Sequence, residues 1–189
     1  MRIAVVTSNP HKADEVSAFF EGAIEVNHIM LDIPEYRSDD VSVISREKAR
    51  YAYKQLQTPL IVDDTGFFIE ALKGFPGPYA AYVLQSIGNA GILKLMEGKN
   101  DRRAHFITAI AFADGQEINV FLGTVNGSIT LSPRGSAGFG YDSIFEVNGK
   151  TFAELPLKSK NFISHRAEAL SSFRDWYIHE QSNAGDTNG

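Results

Sequence analysis

Two adjacent carboxylates and a hydroxyl, Asp63-Asp64-Thr65, follow the apolar run Leu60-Ile61-Val62 and precede Gly66. Carboxylates at the end of a buried strand can hold Mg²⁺ and take a proton from a water. The bland reading is a turn, which Asp, Thr and Gly all favour. Two like charges directly after a buried strand are costly without a cation, and that weighs toward chemistry. Metal geometry needs ligands from more than one segment. Glu35, in the loop after Pro34, is the candidate second ligand beside Asp64.

Cationic and polar segments supply the other half of a phosphate chemistry. Thr7-Ser8-Asn9-Pro10-His11-Lys12 stands between a strand-like run and a helix. Free N–H groups and partial positive charge at a helix start suit phosphate. Lys12 sits in the first turn, where the dipole disfavours a cation, so a nearby anion would explain it. The segment lacks the glycines and the Gly-Lys-Ser/Thr ending of a P-loop. Lys48 lies four residues after Ile44, on an apolar stripe, and either snorkels or points into a polar cleft. Lys160, His165 and Arg166 cluster at the start of a last helix that Ser164 can cap. That grouping suits an anionic or carbonyl-bearing ligand.

The segment from Arg134 to Asp142 carries glycines at 135, 138 and 140. Glycine allows a backbone to approach a ligand closely. Phe139 and Tyr141 could stack on a base, and Asp142 could accept from ring N–H groups. A hairpin loop with its aromatics in the core fits the composition equally well. The remaining histidines, including His28, His105 and His179, show no metal-ligand spacing.

Periodicity supplies the elements that must position these groups. Ile3 to Thr7 reads as a buried strand, followed by a helix from Asn9-Pro10 to about Phe20. Ile24 to Leu31 reads as a strand and Val41 to Leu56 as a helix. Leu60 to Asp63 and Phe67 to Leu72 read as two short strands around the acidic segment. Gly74 to Pro78 is a turn, and Tyr79 to Met96 a helix broken near Gly88 or Gly91. Arg103 to Ala113, Ile118 to Val125 and Gly127 to Leu131 read as three strands, the first two joined by an Asp114-Gly115 hairpin. Ser143 to Val147 adds a strand, and Ser164 to about His179 a closing helix. The expected fold is α/β, a central mixed sheet flanked by helices in one domain over 1–189. Two lobes surround a cleft, and the polar tail 181–189 is loosely held.

The chain has 189 residues, 43% of them hydrophobic, which is enough for a sizeable core. It has no cysteine, which excludes disulfides and thiolate-zinc sites and fits a cytoplasmic setting. No apolar run approaches a membrane span, and the N-terminus lacks the pattern of a signal peptide. A net charge of -5 disfavours nucleic-acid backbones as partners, while local basic residues still suit a small polyanion.

Six motifs in this order resemble the inosine triphosphatase family, the Ham1-like purine nucleoside triphosphate pyrophosphatases. They are Thr7-Ser8-Asn9 with Lys12, Pro34-Glu35, Asp63-Asp64-Thr65-Gly66, Phe75-Pro76-Gly77-Pro78-Tyr79, Gly138-Phe139-Gly140-Tyr141-Asp142 and Ser164-His165-Arg166. The resemblance implies an elongated two-lobed fold, a homodimer, and Mg²⁺-dependent hydrolysis of ITP, dITP and XTP to monophosphate and pyrophosphate. It implies Asp64 as general base and metal ligand and Glu35 as second metal ligand. Thr7, Ser8, Asn9, Pro10, His11, Lys12, Lys48 and Thr65 match triphosphate-binding positions. Phe139 matches a base-stacking ring; Gly140, Tyr141, Asp142, Lys160, His165 and Arg166 match positions around base and sugar. Some relatives carry a lysine where Ala81 stands and others a serine in place of Ala80. A donor such as Arg166 facing the purine 6-oxygen would discriminate against adenine. Two further readings stay open on the residues: a pyrophosphatase for modified pyrimidine or methylated nucleotides, and a non-catalytic nucleotide- or RNA-binding module.

Overall fold

Strand β1 (Arg2–Val6) is buried from Ile3 to Val6 and lies inside a mixed sheet. It runs parallel to β2 (Glu25–Ile29) on one side and to β3 (Leu60–Ile69) on the other. The structure is a computed structural model that describes residues 2–156, 159–160 and 163–186. β3 pairs antiparallel along its whole length with β5 (Arg103–Ala113), which forms a hairpin with β6 (Ile118–Ile129). Short strands β7 (Phe145–Val147) and β8 (Lys150–Thr151) complete the order β2-β1-β3-β5-β6-β7-β8, and β4 (Pro76–Gly77) pairs with the far end of β3.

Helices cover both faces. α2 (Val41–Leu56) lays Ala49 and Ala52 on Leu60, Val62, Ala111 and Ala113. α1 (Pro10–Phe19) and α4 (His165–Asp186) cover the opposite face, where Val16, Leu170 and Phe173 meet Ile61 and Ile110. α3 (Ala80–Leu95) packs Val83 and Ile92 into a third cluster with Phe67, Phe106 and Phe145. Among the described residues no helix is long and apolar enough to cross a membrane.

Several elements differ from the sequence reading. β3 is one continuous strand, not two, because β5 hydrogen-bonds it straight through Asp63-Asp64-Thr65-Gly66. β6 is likewise one strand through Gly127, where close approach to Glu146 and Phe145 requires the glycine. The turn at 74–78 contains the two-residue strand β4. The expected break in α3 falls at Gly88, whose φ is 62°. β2 and β7 are shorter than expected, and α4 runs on past His179 to Asp186. Residues 187–189 lie outside the described residues.

One gap in the sheet matters most. β1 stops pairing with β3 at Val62, and β4 starts pairing with it at Phe67. The edge of β3 from Asp63 to Gly66 therefore faces side chains rather than a strand.

Candidate active site

A strand alternates its side chains, so Asp63 and Asp64 face opposite sides of the sheet. They are not a pair sharing one ion. Each has its own protein cations, which answers the cost of two adjacent acids.

Asp64 points toward α2. Lys48 Nζ donates to Asp64 Oδ1 at 2.8 Å and lies 3.6 Å from Glu35 Oε2. Lys48 is carried by α2, whose start is fixed by Asp40 accepting from Ser42 N–H, and buried Ser45 ties the helix to the Ala109 carbonyl. Burial lowers the Lys48 pKa, but Asp64 and Glu35 outweigh it and raise it overall. Burial raises the Asp64 carboxyl, with Lys12 and Lys48 only partly offsetting it. Asp64 Oδ2 is buried without a hydrogen-bond partner among the described residues.

That orphaned oxygen, beside a Glu35 side chain that is 87% exposed, suits a hard divalent cation. No group of three or more His, Cys, Asp or Glu side chains gathers for a metal among the described residues. Magnesium fits such a sparse donor set, because it keeps waters and takes substrate phosphates as further ligands.

Asp63 points the other way, into a buried ionic cluster. Arg166 Nε donates to Asp63 Oδ2 at 2.6 Å, and Lys12 Nζ lies 2.5 Å from Oδ1. Lys12 also donates to the Asp63 carbonyl at 3.0 Å, filling the gap in the edge of β3. Burial pushes the Asp63 carboxyl up, but Arg166 and Lys12 outweigh it and hold it well below the usual carboxylate range. Arg166 also pairs with Glu15; Lys160 Nζ bridges Glu15 Oε1 at 2.6 Å and Asp142 Oδ2 at 2.7 Å. Asp142 accepts from Phe139 N–H at 2.8 Å, which fixes the Phe139 ring 4.7 Å below the Lys160 ammonium. His11 stacks on the same ring at 5.1 Å between centroids.

A lysine–aspartate pair on one face, and a ring with a buried ionic cluster on the other, meet along a single strand. The Ham1 family model matches residues 3–176. This chain belongs to the Ham1 family. It is 46% identical over 179 residues to a dITP/XTP pyrophosphatase of Thermococcus kodakarensis, covering 93% of this chain and 97% of that one. It is 48% identical to a dITP/XTP pyrophosphatase of Pyrobaculum aerophilum, with 93% and 96% covered. Among solved structures, a HAM1 protein from Coxiella burnetii superposes with a TM-score of 0.83 at 29% identity, over 95% of this chain and 99% of that one. The Staphylococcus aureus Ham1 protein gives 0.82 at 30% identity, over 95% and 100%.

The other predicted positions of this Ham1 chain divide by what they touch. Thr7 and Asn9 build the turn before α1: Asn9 N–H donates to Thr7 Oγ1, and Asn9 Oδ1 accepts from His11 N–H. Ser8, Pro10 and His11 are exposed beside it. Thr65 lies on the Asp63 face, away from Asp64 and Lys48, with its hydroxyl 2.7 Å from that of Thr108. Tyr141 places its ring in the core against Phe67 and donates its hydroxyl to the Ala80 carbonyl. The Gly140 carbonyl accepts from Asn89. Ser164 caps α4 by accepting from Ala167 N–H. His165 is buried against Phe106, and burial followed by the charge of Arg166 holds it well below its ordinary pKa, so it is neutral.

Two residues escaped the sequence reading. Glu15 had a signal: it lies three residues after Lys12, beside Val16 on the inward face of α1. Thr108 had almost none, because only sheet register brings it to Thr65 and His165.

Gly123 seats this corner. It pairs across the sheet with Thr108, and a Cβ there would lie 2.0 Å from the His165 carbonyl oxygen and 2.5 Å from Ala169 N. Both are backbone atoms, so α4 itself would have to move. Gly123→Ala is expected to lower stability by about 1–3 kcal/mol, the usual result of overpacking. Urea midpoints compared with wild type check this.

Proposed function

We propose that this chain hydrolyses ITP, dITP and XTP to the nucleoside monophosphate and pyrophosphate, with Mg²⁺ as cofactor. The observation that carries the reading is Asp64: a half-buried carboxylate with one oxygen bound by Lys48 and the other, itself buried, without a hydrogen-bond partner among the described residues. Its family membership and the names of its relatives support the substrate class.

Asp64 orients a water and takes its proton. The water oxygen bonds the α-phosphorus, the bond from that phosphorus to the bridging oxygen breaks, and pyrophosphate leaves. Glu35 and Asp64 would hold magnesium, which when bound offsets charge on the phosphates. Lys48 and Lys12 add fixed positive charge on either side of β3. Phe139 offers the base a ring, and His165 a hydrogen-bonding edge. Arg166 is committed to Asp63, Glu15 and Thr65, so its first role is to hold the cluster together.

Pyrophosphate release from ITP, dITP, XTP, GTP and ATP, each with Mg²⁺ and with excess chelator, tests this. Expected is a kcat/KM for the first three at least about a hundredfold above that for ATP, the discrimination available when a buried hydrogen-bonding group is mismatched. Chelator should abolish release. Equal rates on all five, or release unaffected by chelator, refute the reading. The family resemblance also leads us to propose a homodimer, which light scattering supports if it reads twice the mass of one chain.

A further inference from the structure

We propose that Thr108 is a positioning residue for purine selection: its hydroxyl, polarised through Thr65, keeps the proton of His165 on Nε2, so the imidazole meets the base as a donor. The inference rests on the proposed substrate class.

The contacts form a chain with one fixed end. Arg166 is a donor only, and its Nη2 lies 3.3 Å from Thr65 Oγ1. Thr65 Oγ1 lies 2.7 Å from Thr108 Oγ1, which in turn lies 2.5 Å from His165 Nδ1. Each hydroxyl has one proton to give. Thr65 could give its proton to Asp63 Oδ1, but that contact is 3.4 Å, and Asp63 Oδ1 already faces Lys12 Nζ at 2.5 Å. The short contact to Thr108 takes the proton. Thr108 then donates its own to Nδ1. Donors aligned in one direction polarise and strengthen each other.

A neutral imidazole carries one proton, so an accepting Nδ1 leaves Nε2 protonated. An Nε2–H suits the 6-oxygen of hypoxanthine or xanthine and opposes the 6-amine of adenine. The reverse chain would make Nδ1 the donor and Nε2 an acceptor, and would favour adenine. The direction of two hydroxyl protons thus selects the base. The sheet isolates the chain: Thr108 is fully buried, and its cross-strand neighbour on β6 is Gly123, which leaves room for His165.

The test compares Thr108→Val, which keeps the branched shape and loses the hydroxyl, with Thr108→Ser, which keeps the hydroxyl. Nitrogen-15 long-range correlation spectra of the His165 ring read the tautomer, and kcat/KM for ITP over ATP reads selection. Wild type and Thr108→Ser should show a protonated Nε2 and an unprotonated Nδ1. Thr108→Val should lose that pattern and reduce the ITP/ATP ratio by at least about tenfold. A protonated Nδ1 in wild type overturns the inference, as does a Thr108→Val protein with unchanged spectrum and ratio. If Thr108→Val does not fold, the wild-type and Thr108→Ser spectra still decide the tautomer. If no purine triphosphate is turned over, the proposed function fails, while the spectra still decide the Thr108 assignment separately.

Discussion

Asp64→Asn lowers kcat on ITP by about a thousandfold, within the range that a general base supplies, and leaves stability unchanged or raised. The two halves of this expectation come from the same environment. Asn keeps the oxygen that accepts from Lys48 Nζ, so the 2.8 Å contact and the position of α2 survive. The lost oxygen is the one without a hydrogen-bond partner among the described residues. Burial already raises the Asp64 carboxyl, so the fold disfavours its charge, and removing that charge relieves a cost. A residue whose environment serves chemistry at the expense of stability is expected at an active site. Turnover of ITP by the variant, together with its melting temperature, checks both. Activity within tenfold of wild type would remove Asp64 from the role of base.

Much of the frame was legible because its signals are local. The bounds of α2 match the expected Val41 to Leu56, since an Asp40 cap and an apolar stripe at helical spacing are both written within one segment. The Asn9-Pro10 start of α1 and the Asp114-Gly115 hairpin are legible for the same reason. Where the reading failed, a local polar or glycine signal was overridden by a distant partner. Asp64 to Gly66 reads as a break between two short strands, and becomes strand because β5 pairs with it throughout. Gly127 looks like a breaker, and stays in β6 because β7 packs against it. The site follows the same division. Asp64, Lys48 and Arg166 stand out by type and position, whereas the meaning of Asp63 depends on the face it takes. Alternation along one uninterrupted strand sends it to Arg166 rather than to a shared ion.

Glu15→Ala is expected to cost about 3–5 kcal/mol, the usual effect of breaking a buried ion pair by removing one partner. The cluster holds three acids (Glu15, Asp63 and Asp142) and three cations (Lys12, Lys160 and Arg166), so it is balanced. Glu15 is the one acid that touches both Lys160 and Arg166. Both cations are only 3% exposed, so water cannot replace the lost carboxylate. Asp14, its exposed neighbour on α1, is the control: Asp14→Ala should stay within about 0.5 kcal/mol. Urea unfolding of both variants measures the contrast. The mechanism makes a second demand. Glu15→Ala combined with Lys160→Met removes one charge of each sign and should be more stable than Glu15→Ala alone, because a missing acid is worse than a missing pair. If the double variant is no better, the loss is one of packing and not of charge balance. If Glu15→Ala behaves like Asp14→Ala, the cluster does not hold α1 to α4, and Lys160 and Arg166 must owe their positions to Asp142 and Asp63 alone.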